Sequence, residues 1–188
     1  MKGKMVINGS TEDGYGTTSS INKTAVVMLT GAATSPDQDV DSREFHAFAF
    51  FDTSDIPVGA KVVRVELQLY VSALTGNMGQ QHVDVYIGDN TAGSTLTTAD
   101  YNATVNNGQL LQRLTGKGLS TGYVTAASTN ETVCAEVSKT ATTNIEIDTV
   151  WTGPASSSYC IMYTQEYTTT AYRPQLTVWY VLEDPKIF

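Results

Sequence analysis

Along residues 63–71 every second position is apolar: Val63, Val65, Leu67, Leu69 and Val71 alternate with Arg64, Glu66, Gln68 and Tyr70. A period of two turns one face of an extended strand into a core and the other towards water. Just upstream, Phe45, Phe48, Phe50 and Phe51 stand in a denser run with small Ala47 and Ala49 between them, as expected of a strand covered on both faces. Between the two runs, Asp52-Thr53-Ser54-Asp55-Ile56-Pro57-Val58-Gly59 stacks turn formers. Proline fixes its own φ and steers Ile56 away from helix, and Gly59 tolerates positive φ.

Strand patterning recurs at residues 4–7, 24–30, 82–87, 144–149, 158–166 and 175–182, and more weakly at 109–114 and 123–126. Val83, Val85 and Ile87, and then Ile145 and Ile147, are the inward positions. Tyr159 and Tyr163 share a strand face with Ile161 and are expected in the core. Residues 94–102 carry a candidate helical turn with Thr97 or Thr98 as N-cap, and 133–139 reads as either strand or helix. Many short strands, frequent turn signals and no amphipathic helix predict an all-β protein. The expected fold is an antiparallel β-sandwich of jelly-roll type, with at most one or two short helical turns. It forms a single domain over residues 1–188, its core at about 4–182.

Composition narrows the partners. The chain carries a net charge of −8 with no cluster of Lys and Arg, and such a surface repels phosphate backbones and anionic membranes. No apolar run approaches the roughly 18 residues that span a bilayer, so neither nucleic acid nor membrane insertion is expected. Residues 1–10 include Lys2 and Lys4 but no apolar h-region, which predicts synthesis without a signal peptide. Cys134 and Cys160 are too few for a disulfide framework. Two buried thiols on strands, or one disulfide in an oxidising compartment, both stay open.

Candidate chemistry is sparse. Gly118-Leu119-Ser120-Thr121-Gly122 spells G-x-S-x-G, but a nucleophile elbow needs a strand before it and a helix after it, and strand-like sequence follows instead. His46 and His82, each on a strand, read as structural residues. Glu66 points outward and Glu166 sits near a turn, so no carboxylate pair suits glycoside hydrolysis. No enzyme and no cofactor is expected. Asp37, Asp39 and Asp41 stand at a spacing that could wrap a structural calcium ion, although Ser42 and Phe48 break the EF-hand pattern. Aromatic residues could form a sugar platform, because ring faces stack on pyranose faces while amides meet the hydroxyls. The candidates are Trp151 in the loop-like WTGPASSS, Tyr167 and Tyr172 flanking the TTT tip of an expected hairpin, and Gln165 beside them.

Three stretches together, FFDTSDIPVGAKVVRVELQLYV at 50–71, LTTADYN at 96–102 and YTQEYTTTAYRPQLTVWY at 163–180, resemble the DNRLRE-type family of carbohydrate-binding-module-like β-sandwiches. There an aromatic strand runs into FD-x-S-x-(I/L)-P-x-G-A and the domain closes on P-x-L-x-V-x-Y, here Pro174, Leu176, Val178 and Tyr180. The resemblance runs from about residue 5 to 180 and is weakest in the middle. It implies a jelly-roll module of secreted surface proteins or of phage structural proteins. The first expectation is a non-catalytic virion structural protein, a phage capsid decoration or fibre-like module at the virion surface. It would be homo-oligomeric and joined to capsid or other virion proteins. The second is a glycan-binding module of a secreted or cell-wall protein, extracellular and able to bind surface glycans.

Overall fold

The computed structural model describes residues 2–9, 14–16, 21–22, 27–33, 43–76, 82–88, 108–115, 119–150 and 158–182. Among these, the strands are β1 (Lys2–Asn8), β2 (Gly14–Gly16), β3 (Ile21–Asn22), β4 (Val27–Ala33), β5 (Arg43–Asp52), β6 (Ala60–Thr75), β7 (His82–Ile87), β8 (Gln109–Thr115), β9 (Gly122–Ser128), β10 (Thr142–Val150), β11 (Ser158–Tyr163) and β12 (Gln175–Leu182). One helix, α1 (Glu131–Ala135), precedes β10, and Asn130 caps it by accepting the Thr132 N–H. That settles 133–139 in favour of a helical turn, while the candidate turn at 94–102 lies outside the described residues.

The strands form an all-β sandwich of two antiparallel sheets, of six and four main strands. One sheet carries β1, β12, β6, β9, β11 and β4; the other carries β5, β10, β7 and β8. The hydrogen-bonded path is continuous because β5 serves both sheets. Its first residues pair with β4 through Gly31↔Phe45, and from Ala47 to Asp52 it pairs with β10. A strand that changes sheets in this way makes a corner. β5 is accordingly buried on both faces, with Ala47, Ala49 and Phe51 in the central core and His46, Phe48 and Phe50 on the opposite side. The core itself is Val65, Leu67, Leu69 and Val71 of β6 against Ile145 and Ile147 of β10, Val83, Val85 and Ile87 of β7, and Leu176 and Val178 of β12.

The turn between β5 and β6 follows from its residues. The Asp52 carboxylate accepts both the Ser54 N–H at 3.1 Å and the Ser54 hydroxyl at 2.6 Å. The Ile56 N–H donates to Thr53 O and the Ala60 N–H to Pro57 O, closing two tight turns around Pro57. Ile56 drops into the core. Buried Thr53 ties the turn to the start of β10, donating to Ala141 O at 3.0 Å and bonding the Thr143 hydroxyl at 2.7 Å.

Four expectations are corrected. Val63 does not face inward: Trp179 pairs with Arg64 and Tyr180 with Val62, so Val63 is an extra residue in a β-bulge. The alternation changes phase there, leaving Val62 7% and Val63 38% exposed. Tyr159 and Tyr163 are not core residues, because Cys160 and Met162 are the buried positions of β11 and its odd positions face out. β11 and β12 do not form a hairpin; they pair with successive stretches of β6, at Val71–Thr75 and Ala60–Gln68. Cys134 lies on α1 rather than on a strand, and both cysteines are buried and free.

Candidate functional site

The outer face of the six-stranded sheet carries a cluster of five tyrosines. Tyr70 of β6 and Tyr123 of β9 are register partners, and Tyr163 ends β11. Between β11 and β12 the chain leaves the sheet beside the middle of β6 and makes a 3-10 turn at Thr170–Tyr172. That excursion lays Tyr167 and Tyr172 over the strand tyrosines. Tyr167 stacks on Tyr163 with centroids 3.5 Å apart, Tyr172 on Tyr70 at 4.1 Å, and Tyr163 on Tyr70 at 5.4 Å. Tyr123 meets Tyr70 edge-on at 5.1 Å. The edge-on Tyr70–Tyr123 pair has a favoured aromatic geometry, while Tyr167–Tyr163 and Tyr172–Tyr70 lie nearly face to face.

Hydrogen bonds pin the excursion. The Arg173 Nε donates to Tyr167 O at 2.8 Å, and the Tyr123 hydroxyl donates to Ala171 O at 3.0 Å. Tyr123 remains 49% exposed, while the other four are half-buried against each other. Loss of solvent, then the neighbouring Tyr172, pushes the Tyr70 phenol above its ordinary pKa. A hydrogen bond to Tyr167, then loss of solvent, does the same for Tyr163. The cluster is therefore a neutral surface of ring faces and phenol hydroxyls. In the chain just before Tyr167, Gln165 Oε1 and both Glu166 carboxylate oxygens are buried without a hydrogen-bond partner.

Of the sequence candidates, Tyr167 and Tyr172 are brought to this face, while Gln165 precedes them in the chain with its Oε1 buried. Trp151 and the aspartates Asp37, Asp39 and Asp41 lie outside the described residues. Tyr70 and Tyr123 were missed as site residues, and Tyr163 was set aside as a core residue. The one signal for Tyr70 is its place on the polar side of the β6 alternation; nothing local marks the other two, since strand register alone makes them neighbours.

A second polar group lies on the outer side of the four-stranded sheet. His46 Nδ1 is 2.8 Å from Glu146 Oε1, and its Nε2 is 3.6 Å from Asp148. Asp84 takes a two-pronged contact from Arg113, both at 2.7 Å, and accepts the Tyr86 hydroxyl at 3.3 Å. The hydrogen bond to Asp84 raises the Arg113 pKa further. His82 Nε2, 3.8 Å from Asp84, is buried with no hydrogen-bond partner. His46, Asp84 and Glu146 are all buried, so this row reads as an internal charge network that ties β5, β10, β7 and β8 together. Among the described residues no group of three His, Cys, Asp or Glu could hold a metal ion. Ser120 is exposed and runs within two residues into β9 rather than into a helix, which removes the nucleophile-elbow reading.

Compared with models of known protein families and with curated protein sequences, the chain matches none.

Proposed function

We propose that this chain is a non-catalytic glycan-binding β-sandwich module whose sugar-contact surface is the tyrosine face. The observation that carries the reading is the five-tyrosine cluster on a rigid sheet, with Tyr123 half in solvent. Grouped aromatic side chains on a surface mark interaction sites more often than chance patches do. Tyrosine supplies a flat apolar ring and a hydroxyl at low entropy cost, which matches a sugar's apolar face and rim of hydroxyls. Holding the rings through strand register and two hydrogen bonds lowers the ordering cost of binding. The resemblance of residues 50–71 and 163–180 to carbohydrate-binding-module-like sandwiches points the same way, as an analogy of fold.

The test is affinity electrophoresis against a panel of soluble polysaccharides, with Tyr167→Ala and Tyr172→Ala beside the unaltered protein. Retardation by at least one polysaccharide, weakened about tenfold in both variants, is the expected result. That size corresponds to one lost aromatic stack of roughly 1.4 kcal/mol. Full binding by both variants would remove the face from the account.

A second reading is a virion structural module. One observation favours it: among the described residues β1 pairs with β12 alone, and Val6 on that edge strand is 53% exposed. An open edge can accept a strand or loop of a neighbouring subunit, although Lys2 and Lys4 along it oppose self-pairing. Mass spectrometry of density-gradient particle fractions tests this; co-banding with a major capsid protein at fixed ratio supports it, and confinement to the soluble fraction overturns it. The two readings combine if the module displays its tyrosine face on a particle.

A further inference from the structure

The tyrosine face continues along the same side of the sheet into a basic groove. β6 places Tyr70, Gln68, Glu66 and Arg64 on one face, and the register sets Gln175, Thr177 and Trp179 of β12 opposite the last three. β1 adds Asn8, Val6 and Lys4. The band therefore runs from the tyrosine cluster, across amides and hydroxyls where Gln175 Nε2 donates to Asn8 Oδ1 at 3.2 Å, to Trp179. Six residues of strand separate its ends, about 20 Å.

At the far end Trp179 lies between two cations. Lys4 Nζ is 5.2 Å and the Arg64 guanidinium carbon 4.7 Å from its ring. Arg64 is also held by Glu66 at 2.6 Å, so the guanidinium is fixed from two sides. Arg64 and Trp179, with Lys2, Gly3, Val63, Tyr180 and Val181, line a groove of about 290 Å³, near the lower end of the range for small-ligand sites; Lys4 and Glu66 stand beside it on Trp179 and Arg64. A side chain at Gly3 would collide with the Tyr180 ring, so glycine there makes room for that ring to pack against the core. Two cations, Lys2 and Arg64, line the groove and a third, Lys4, lies over Trp179 beside it, in a chain that has only 11 Lys and Arg and a net charge of −8.

We infer that this groove reads an anionic group, and that the ligand of the band is an acidic polysaccharide carrying carboxylate or sulfate. This rests on the glycan-binding reading of the tyrosine face. Trp179 has cations over its ring, so its part is to position them rather than to stack on sugar. A guanidinium has five donors, of which Glu66 uses one. The remainder, with two ammonium groups, suit the planar or trigonal oxygens of a carboxylate or sulfate. The overall negative charge does not prevent this. With a Debye length of about 8 Å at physiological salt, the distant carboxylates are largely screened while the groove's own cations act at contact range.

The experiment compares matched pairs by calorimetry: polygalacturonate against its methyl ester, and dextran sulfate against dextran. Each is titrated into the unaltered protein, a Lys4→Gln/Arg64→Gln variant and a Tyr167→Ala/Tyr172→Ala variant. Lys4 and Arg64 are exposed, and thermal unfolding midpoints check that all three proteins fold alike. The expected result is at least tenfold tighter binding of one charged polymer than of its uncharged partner. That preference disappears in Lys4→Gln/Arg64→Gln, and the polygalacturonate and sulfate arms show which anion is read. Equal binding of charged and uncharged partners overturns the inference and leaves glycan binding standing. A preference that survives Lys4→Gln/Arg64→Gln also overturns it. Charge-selective binding lost in Lys4→Gln/Arg64→Gln but unchanged in Tyr167→Ala/Tyr172→Ala supports the groove and overturns the tyrosine face. Binding of none of the four polymers overturns both for these chemistries.

Discussion

Tyr172 lies nearly face to face with Tyr70, ring centroids 4.1 Å apart and planes 27° apart. One comes from a 3-10 turn and the other from the middle of β6. They meet because β11 leaves β6 at Val71 and β12 joins it at Gln68, so the intervening excursion must pass beside Tyr70.

This packing sets a pH dependence. Tyr70 and Tyr163 are held above the ordinary tyrosine value of 10.0, so the fold favours the neutral phenols. Their contribution to stability is complete below pH 10 and is lost as pH rises through the folded values. A phenolate absorbance titration of the native protein should show late-titrating tyrosines, and Tyr172→Ala should bring part of that signal back towards 10.0. Titration of every tyrosine at its ordinary value would contradict the stack.

The bulge at Val63 predicts a sharp contrast between neighbours. Val62→Asp buries a charge without a partner and should cost more than about 4 kcal/mol. Val63→Asp sits at an exposed position and should stay within about 1 kcal/mol of the unaltered protein. Urea denaturation of the two variants measures both. The reverse order, with Val63→Asp the costlier of the two, would mean that the strict alternation of the sequence holds through residue 63.

Cys160 is buried in β11, and loss of solvent pushes its thiol pKa from 9.0 to about 12. The fold keeps the proton that the unfolded chain releases, so stability from this group is whole below pH 9 and falls between pH 9 and 12. The slope is about 1.4 kcal/mol per pH unit within that window. Denaturation across these pH values should show the slope in the unaltered protein and a shallower one in Cys160→Ala. A thiol reagent should leave Cys160 unmodified until the protein unfolds.

Thr53 links the β5–β6 turn to β10 through Ala141 O and the Thr143 hydroxyl. Thr53→Val keeps the shape and removes both bonds, leaving the Thr143 oxygen with the Ser138 N–H. A loss of roughly 1–3 kcal/mol is expected in chemical denaturation. No measurable change would show that the turn is held by Ile56 packing alone.

Most of the long strands and the β5–β6 turn were legible in the sequence, whereas the short β2 and β3 were not. Alternation in β7 and β12 gives their bounds, His82–Ile87 and Gln175–Leu182, the dense phenylalanine run gives a strand covered on both faces, and Asp52 to Gly59 writes out its own hydrogen bonds. All of these depend on neighbours within a few residues. It also placed Gln165, Tyr167 and Tyr172 among the candidates, because loop aromatics next to amides are visible locally. The tertiary structure decided the rest. Tyr70, Tyr123 and Tyr163 join the face, and Lys4 meets Arg64 over Trp179, only through register between strands far apart in the chain. A bulge of one residue sends Val63 to the surface, and the pairing of β11 and β12 with one long strand, rather than with each other, carries Tyr167 and Tyr172 onto the sheet. Side-chain period tells which residues share a face of one strand; which strands share a sheet is set by pairing, and the site is made of several strands at once.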